Sequence, residues 1–279
     1  RMEAGLLFEL RYNLTAGHSF LPTDKLIAAT AQLLNVDEAA AAEGIRRLVE
    51  AERLIEQPLA GIRVTYLPEL YEAEERITSR LLAGAAKRFS PPRGLEKMVR
   101  GIAADSGIAY SAQQEQALRE AACNGVLLVT GGPGTGKTTI LKGILSMLDK
   151  MELKYVLAAP TGRAAKRLTE VTGQEASTIH RLLEAGIDPN TGNMVFARDE
   201  SNPLKADAVI VDEMSMVDVL LLHSLLRAVP EGKRLILVGD PDQLPPVGPG
   251  FPFGDMLRSG MLGAVRLTEI FRQAQQSLI

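Results

Sequence analysis

The sequence predicts an α/β fold in which a parallel sheet flanked by helices follows a mainly helical region. Residues 1–88 show helical periodicity with a single hairpin, whereas four short apolar runs alternate with helix-like segments after residue 125. Strands that alternate with helices form parallel sheets whose two faces are covered. The four predicted strands are residues 126–130, 155–159, 208–212 and 235–239.

Composition narrows the class of protein. The chain has 279 residues, of which 46% are apolar and 23% charged, as in an ordinary globular protein and unlike a disordered one. No apolar run reaches the roughly 18 residues that a membrane-spanning helix needs, so no membrane contact is expected. The net charge of −3 argues against coating nucleic acid by bulk charge but leaves room for a local basic groove. A single cysteine, Cys123, allows no internal disulfide and favours a reducing, cytoplasmic location.

Residues 1–88 are predicted to form a domain similar to a winged helix. Helix starts are expected at Thr23 and Asp37, and two short β-like runs, 53–57 and 62–67, follow them. The second helix mixes acidic with basic side chains, so packing against the second domain or docking of a partner protein is at least as well supported as reading of DNA. A linker and helix are predicted over residues 89–108, and the second domain over 109–279.

A glycine-rich loop connects the first predicted strand of the second domain to a helix. Its sequence is GGPGTGKT, residues 131–138, which fits the pattern G-x-x-x-x-G-K-[ST]. Glycines let backbone N–H groups converge on phosphate oxygens, and the helix N-terminus adds a favourable dipole. Lys137 is expected to neutralise β- and γ-phosphates and Thr138 to ligate Mg²⁺. A surface turn with an ordinary lysine is the alternative.

Two adjacent carboxylates, Asp212 and Glu213, end the third predicted strand. Ligands of open α/β sheets gather at the carboxyl ends of the strands. Asp212 is therefore the candidate Mg²⁺ ligand, and Glu213 is the candidate base that orients and deprotonates water. The alternative is that Asp212 only caps a helix that begins near Val217.

The fourth predicted strand ends in GDPDQLPP, residues 239–246. Gln243 is neutral and carries both a donor and an acceptor, so it can sense a γ-phosphate or the attacking water. On spacing alone, a proline-rich turn without nucleotide contact is equally well supported.

Together these segments resemble the superfamily 1 helicases, and they are most similar to the RecD/TraA branch, the helicases like the exodeoxyribonuclease V alpha chain. The similarity lies in GGPGTGKTT, VIVDEMSM and VGDPDQLPPVGPG. In addition, YSAQQEQA resembles an adenine-reading segment, with Gln114 at the glutamine position. APTGRAA and STIHRLL resemble segments that contact a single strand, and LTEIFRQ resembles the one whose arginine, Arg272, reaches the γ-phosphate. The resemblance covers residues 109–279 and, less specifically, the region before them.

The resemblance implies a RecA-like P-loop NTPase fold that uses ATP and Mg²⁺. It implies 5′-to-3′ movement on single-stranded DNA and unwinding at single/double-strand junctions, in DNA repair or recombination and in a bacterial-type cytoplasm. A single-strand-binding or repair protein is the partner to expect.

Combined with the residue chemistry, the resemblance assigns the site residues. Catalysis is assigned to Lys137, Glu213, Gln243 and Arg272, and the metal to Thr138 and Asp212. Nucleotide contacts are assigned to Gln114, Gly132, Gly134, Thr135, Gly136, Lys137, Thr138 and Thr139. DNA contacts are assigned to Pro160, Thr161, Arg163, Ser177, Thr178 and His180. The neighbouring Lys166 and Arg167 suit phosphate contacts and a solvated helix face equally well.

One departure from the family bears on activity. Only seven residues follow Arg272, so the second lobe that closes the ATP site in this family is expected to be absent. The chain is then a fragment that hydrolyses ATP poorly and does not unwind DNA by itself. Two other functions remain open, a generic P-loop phosphotransferase and a non-catalytic module that binds DNA or a partner protein.

Overall fold

The computed structural model describes residues 1–269, which divide into two units. Unit 1 comprises Arg1–Ser79, Val217–His223 and Pro245–Pro252, and unit 2 comprises the rest of the chain. Both units are discontinuous in sequence, whereas the predicted boundaries at residues 88 and 108 describe continuous segments. Arg272, which was assigned a catalytic role, lies outside the described residues.

Unit 1 contains helices packed against one another and a small sheet in which the strand order is β1-β3-β2 and both pairs are antiparallel. The order of two helices and a hairpin is as predicted, and Asp37 caps its helix by accepting the backbone N–H of Ala40 at 2.6 Å. The first strand was not predicted because three residues are too few to show an alternation. The elements are α1 (Met2–Leu14), β1 (Phe20–Pro22), α2 (Thr23–Leu34), α3 (Glu38–Glu50), β2 (Ile55–Leu59) and β3 (Ile62–Tyr66).

Unit 2 is built on a six-stranded sheet in the order β11-β4-β10-β9-β5-β6, and every strand pair in it is parallel. Its strands, in chain order, are β4 (Val126–Gly131), β5 (Tyr155–Ala159), β6 (Ala176–Thr178), β9 (Ala208–Val211), β10 (Arg234–Gly239) and β11 (Ala264–Leu267). A separate antiparallel pair consists of β7 (Ala185–Ile187) and β8 (Met194–Phe196).

The helices from residue 68 onward are α4 (Pro68–Ala86), α5 (Leu95–Ser106), α6 (Ala112–Cys123), α7 (Lys137–Lys150), α8 (Gly162–Thr172), α9 (Ile179–Leu182), α10 (Val219–Ala228) and α11 (Pro252–Ser259). Among them, α6, α7, α8 and α9 contact the six-stranded sheet. A 3₁₀ turn, Met214–Met216, follows β9. Three of these helices, α4, α10 and α11, contain residues of both units.

The predicted α/β class and parallel sheet are confirmed. All four predicted strands are present, and the buried core joins apolar side chains of the sheet to those of α6 and α7. Apolar runs predict central strands because both faces of such strands are covered. Two strands of the six-stranded sheet, β6 and β11, and the separate pair β7 and β8 were not predicted; each has only three or four residues, and β11 alternates exposed with buried residues.

The segment that follows α4 is held against the sheet rather than being a free linker. The backbone N–H of Phe89 donates to the carbonyl of Cys123 at 2.7 Å, and that of Gly125 donates to Lys87 at 2.9 Å. The guanidinium group of Arg234 also stacks on the Phe89 ring, 3.8 Å from its centroid. These contacts fix the segment at the amino ends of β4 and β10.

Among residues 1–269, no helix is long and apolar enough to span a membrane.

Candidate nucleotide site and the adjoining strand edge

The predicted site residues follow strands whose carboxyl ends meet at one edge of the sheet. The register sets Gly239 of β10 beside Thr130 of β4, and Leu237 beside Val211 of β9. On the other side of β9, Ala158 of β5 pairs with Val211. The phosphate-binding loop, the two carboxylates and the Gln243 loop therefore leave three adjacent strands at the same edge.

The glycine-rich loop has the backbone that a phosphate site requires. Gly134 and Gly136 adopt φ angles of +77° and +86°, which side chains with a Cβ rarely allow. A Cβ on Gly131 would lie 2.5 Å from the hydroxyl oxygen of Thr135 and 2.8 Å from the carbonyl oxygen of Leu267. That hydroxyl donates to the carbonyl of Gly132 at 2.8 Å, which ties the loop together. The alternative of an ordinary surface turn does not account for this geometry.

Lys137 is the first residue of α7, and its side chain bends back over the loop. The ammonium nitrogen donates to the carbonyl oxygens of Gly131 at 2.5 Å and Gly132 at 3.0 Å. Only 16% of the side chain is exposed. An ammonium group has three donors, so one remains for a ligand. Thr138 and Thr139 follow in the first turn of α7, where α7 presents unpaired backbone N–H groups.

Asp212 is the strongly perturbed carboxylate of this edge. Burial raises its pKa to about 6, and the charge of Glu213 adds to the effect. The backbone N–H of Glu213, which donates to Asp212 Oδ1 at 2.9 Å, and the charges of Lys137 and Arg167 oppose the shift. A carboxylate held this way gains from a cation that replaces its lost hydration.

The alternative role for Asp212, as a helix cap, is wrong. The helix in question is α10, and Asp218 caps it by accepting the backbone N–H of Leu221 at 2.8 Å. Asp212 does not cap this helix, and its carboxylate lies at the edge of the sheet, directly after β9.

Glu213 has an unusual backbone for its residue type. Its φ angle is +56°, in the left-handed region that costs a side chain with a Cβ about 1 kcal/mol or more. Strain of this kind persists where the surrounding structure enforces it, and it often occurs at functional sites. It turns the chain sharply between Asp212 and the 3₁₀ turn that follows.

The donor set fits Mg²⁺ bound together with a phosphate. Within residues 1–269 no group of three or more His, Cys, Asp or Glu residues could enclose a metal by itself. Mg²⁺ commonly takes only one or two protein oxygens and completes its shell with phosphate oxygens and water. The hydroxyl of Thr138 and the carboxylate of Asp212 supply oxygens of the right type.

Asp240 is a site residue that the sequence analysis did not select. It is the first residue after β10, is almost fully buried, and accepts the side-chain N–H of Gln243 at 3.2 Å. Its Oδ2 also lies 3.9 Å from the ammonium nitrogen of Lys137. The signal was present in the sequence, since Asp240 directly follows an apolar strand just as Asp212 does.

The adenine-reading assignment falls on a buried side chain. Gln114 is 1% exposed, and its Oε1 accepts the backbone N–H of Ser111 at 3.0 Å in a capping box at the start of α6. Its neighbour Gln113 instead reaches the end of β11, where its Oε1 accepts the backbone N–H of Thr268 at 2.9 Å and its Nε2 donates to the Thr268 hydroxyl at 2.9 Å. Because Leu267 pairs with Gly131, this contact lies beside the phosphate-binding loop.

The residues assigned to DNA lie further along the same edge. Ala159 of β5 pairs with Thr178 of β6, so Pro160 and Thr161 begin where Thr178 ends. Both threonines cap helices: Thr161 accepts the backbone N–H of Ala164 at 3.2 Å, and Thr178 that of Arg181 at 3.1 Å. Two helices therefore begin at this corner, and the N-terminus of the longer one, α8, favours phosphate.

The remaining side chains of this corner differ in exposure and partners. Arg163 is exposed in the first turn of α8, and the Ser177 hydroxyl contacts the carbonyl of Thr178 at 3.4 Å. The His180 ring packs on Phe196 of β8, with 5.9 Å between centroids. Lys166 is 81% exposed beside Glu170, as a solvated helix face predicts.

The fold and the site together define the class. A parallel sheet whose first central strand enters a G-x-x-x-x-G-K-[ST] loop and helix, with an acid on a neighbouring strand, is a RecA-like P-loop NTPase fold. A family model described as an AAA domain matches residues 114–249.

Named relatives agree with the sequence motifs. The chain is 35% identical over 289 residues to the ATP-dependent RecD2 DNA helicase of Deinococcus radiodurans, with 100% of this chain and 39% of that protein covered. It is 35% identical over 236 residues to the RecBCD enzyme subunit RecD of Mycobacterium tuberculosis strain H37Rv, with 75% and 39% covered. It is 39% identical over 124 residues to the ATP-dependent DNA helicase dda of phage T4, with 44% and 28% covered.

These comparisons support the similarity to RecD-like helicases that the motifs indicated. The chain spans about two fifths of the length of the RecD-type relatives described above.

Proposed function

We propose that this chain is the part of an ATP-dependent DNA translocase that binds ATP with Mg²⁺ and holds one strand of DNA. The observation that carries the proposal is the arrangement of side chains along one sheet edge. Lys137 and Asp212 lie beside β4 and β9, and Thr161 and Thr178 lie at β5 and β6 on the same edge. Nucleotide and strand would thus occupy neighbouring positions on one hydrogen-bonded sheet.

Each residue has a role in ATP hydrolysis under this proposal. Lys137 neutralises the β- and γ-phosphates, Thr138 and Asp212 hold Mg²⁺, and Glu213 orients and deprotonates the attacking water. Gln243 senses the γ-phosphate. The metal, when bound, neutralises charge that develops on the transferred phosphoryl group. The nucleotide contacts proposed from the loop and its helix are Gly132, Gly134, Thr135, Gly136 and Thr139.

Two proposed nucleotide contacts rest mainly on the family resemblance. Gln114 would read adenine through its side-chain NH₂ group, because its carbonyl oxygen is already bonded to Ser111. Arg272, outside the described residues, would reach the γ-phosphate. Movement in the 5′-to-3′ direction is likewise proposed from the resemblance.

DNA would be held through its phosphates. The hydroxyls of Ser177 and Thr178, the exposed Arg163 and the N-terminus of α8 suit contacts that carry no sequence information. Such contacts suit a protein that moves along DNA of any sequence, because every step presents the same groups. Single-stranded DNA, including junctions with duplex, is therefore the proposed substrate, and a single-strand-binding or repair protein the proposed partner.

The test measures whether nucleotide binding changes the affinity for DNA, and it does not require ATP hydrolysis. The affinity of this chain for a fluorescent oligothymidine is measured by anisotropy without nucleotide, with ADP and with a non-hydrolysable ATP analogue. We expect the ATP analogue to change the affinity about 5-fold or more, and Lys137→Ala to abolish the change. Equal affinity in all three states would contradict coupling and favour a non-catalytic module.

A second measurement addresses the phosphotransferase alternative. ATP consumption is followed with and without single-stranded DNA, and with duplex DNA as the control. Stimulation by the single strand supports the translocase. Consumption that ignores DNA but needs a small phosphate acceptor would establish the phosphotransferase instead.

A further inference from the structure

One buried carboxylate contacts both residues that are proposed to respond to the γ-phosphate. The side chain of Asp240 is 2% exposed. Its Oδ1 accepts the backbone N–H of Asp242 at 3.1 Å, and its Oδ2 accepts Nε2 of Gln243 at 3.2 Å. The same Oδ2 lies 3.9 Å from the ammonium nitrogen of Lys137. The turn is closed further by the backbone N–H of Gln243, which donates to the carbonyl of Asp240 at 3.2 Å.

This contact fixes which end of the Gln243 amide faces outward. An ionised carboxylate accepts hydrogen bonds and donates none, so the group that faces Asp240 is the NH₂ group. The carbonyl oxygen Oε1 must then point away from Asp240. Gln243 is exposed, so without this contact its amide could turn either way.

The orientation matters for the chemistry at the γ-phosphate. A water molecule that attacks phosphorus must keep a lone pair directed at it, while its O–H groups donate to the protein. A carbonyl oxygen can accept such an O–H, whereas an NH₂ group would donate to the lone pair that the reaction needs.

We propose that Asp240 is a positioning residue, which holds the Gln243 amide so that its carbonyl oxygen accepts a hydrogen bond from the attacking water. The inference rests on the proposed function, because it concerns ATP hydrolysis at this site. Asp240 acts through Gln243 and does not itself touch the substrate.

In Asp240→Asn, we expect the rate of ATP hydrolysis to fall without a loss of apparent affinity for ATP. Asparagine keeps the shape of the side chain but can present either its oxygen or its NH₂ group, so the Gln243 amide loses its fixed orientation. The same change removes a negative charge near the phosphates. We therefore expect kcat to fall roughly 10- to 100-fold, while KM for ATP stays the same or decreases. A merely structural defect would raise KM as kcat falls.

The kinetic test is a double-mutant cycle in this chain. Rates are measured for the wild type, Asp240→Asn, Gln243→Ala and the double variant. Asp242→Asn serves as the control, because Asp242 lies in the same turn as Asp240 and Gln243 but its side chain is exposed. If Asp240 acts through Gln243, adding D240N to Q243A changes kcat less than about 3-fold. Equal effects of D240N in both backgrounds overturn the proposal. Where turnover is too slow to follow, affinity for ADP with aluminium fluoride and Mg²⁺ replaces kcat in the same cycle.

A second readout needs no nucleotide. The side-chain NH₂ resonances of Gln243, assigned by their loss in Gln243→Glu, should show slowed hydrogen exchange in the wild type and in Asp242→Asn but not in Asp240→Asn. Unprotected resonances in the wild type overturn the inference. If the NH₂ group is protected but the protein binds no nucleotide, the proposed function is contradicted, while the hydrogen bond between Asp240 and Gln243 is confirmed. The two failures are therefore distinguishable.

Discussion

The ammonium nitrogen of Lys137 lies 2.5 Å from the carbonyl oxygen of Gly131, so the lysine is bound to the loop that it is expected to serve. The bond keeps the charge at the loop before any phosphate arrives. A preplaced charge costs no reorganisation when the ligand binds.

Removal of the Lys137 charge should strongly reduce ATP hydrolysis and have little effect on the stability of the fold. We expect Lys137→Ala to lower ATP hydrolysis at least about 100-fold and to change the free energy of unfolding by no more than about 1 kcal/mol. Lys142→Ala is the control, because Lys142 is exposed on the same helix. Turnover and thermal melting are measured on all three proteins. Hydrolysis that persists in K137A would contradict the assignment.

Asp212 should make the stability of the metal-free protein depend on pH. Its folded-state pKa of about 6 lies above the ordinary value of 3.8, so ionisation lowers the free energy of unfolding. This loss is absent below about pH 4, develops between about pH 4 and 6 and is complete above. We expect Asp212→Asn, which keeps an oxygen to accept the N–H of Glu213, to be more stable than the wild type at pH 7.5 by on the order of 1–3 kcal/mol.

The difference should vanish at pH 4, where the wild-type carboxyl is protonated. Urea unfolding of both proteins at the two pH values is the measurement. A variant that is less stable than the wild type at pH 7.5 would contradict the raised pKa of Asp212. The affinity of the wild type for Mg²⁺ with nucleotide should also fall as the pH drops below about 6, because a proton then competes with the metal.

Arg163 should contribute to DNA binding through phosphate alone. We expect Arg163→Ala to weaken binding of single-stranded DNA about 3- to 10-fold, irrespective of base sequence, and to reduce the slope of log affinity against log salt by about 0.7 to 1. The control is Lys166→Ala, three residues along α8, where the side chain is 81% exposed beside Glu170. Loss of affinity in the control but not in R163A would assign the phosphate contact to Lys166 instead of Arg163.

Gln113 should hold the end of β11 in place. In Gln113→Ala the backbone N–H of Thr268 loses its acceptor, so its amide hydrogen should exchange faster and the protein should lose about 1 kcal/mol of stability. Gln116→Ala, at an exposed position of α6, should leave the Thr268 amide unchanged. Unaltered exchange in Q113A would mean that Thr268 is held by other contacts.

The parts of the site that a sequence can predict are those carried by neighbouring residues. The loop 131–138 is one continuous pattern, and Asp212 and Glu213 end an apolar run, so sheet geometry alone sets them at one edge. The position of Asp240 after an apolar strand is also visible in the sequence, but its contacts to Lys137 and Gln243 depend on how two loops meet. Only the structure shows that the two loops bring these three side chains together.

A residue within a family motif can also have a local structural role, as Gln114 does. The capping box between Ser111 and Gln114 is visible as a Ser-x-x-Gln pattern, yet the resemblance directed attention to adenine. The short edge strand β6 could not be foreseen from three polar or small residues. Its pairing with β5 is what sets Thr178 beside Pro160 and Thr161.

Under the proposed function, one metal ion with its nucleotide faces both the phosphate-binding loop and the carboxylates after β9. The most direct test adds Mn²⁺ and ADP to isotope-labelled protein and records the paramagnetic broadening of backbone amide resonances. We expect strong broadening at Thr138, Asp212 and Glu213, and much less at Lys150, which lies about 18 Å further along α7. Broadening at Thr138 with Asp212 and Glu213 no more affected than Lys150 would contradict the account.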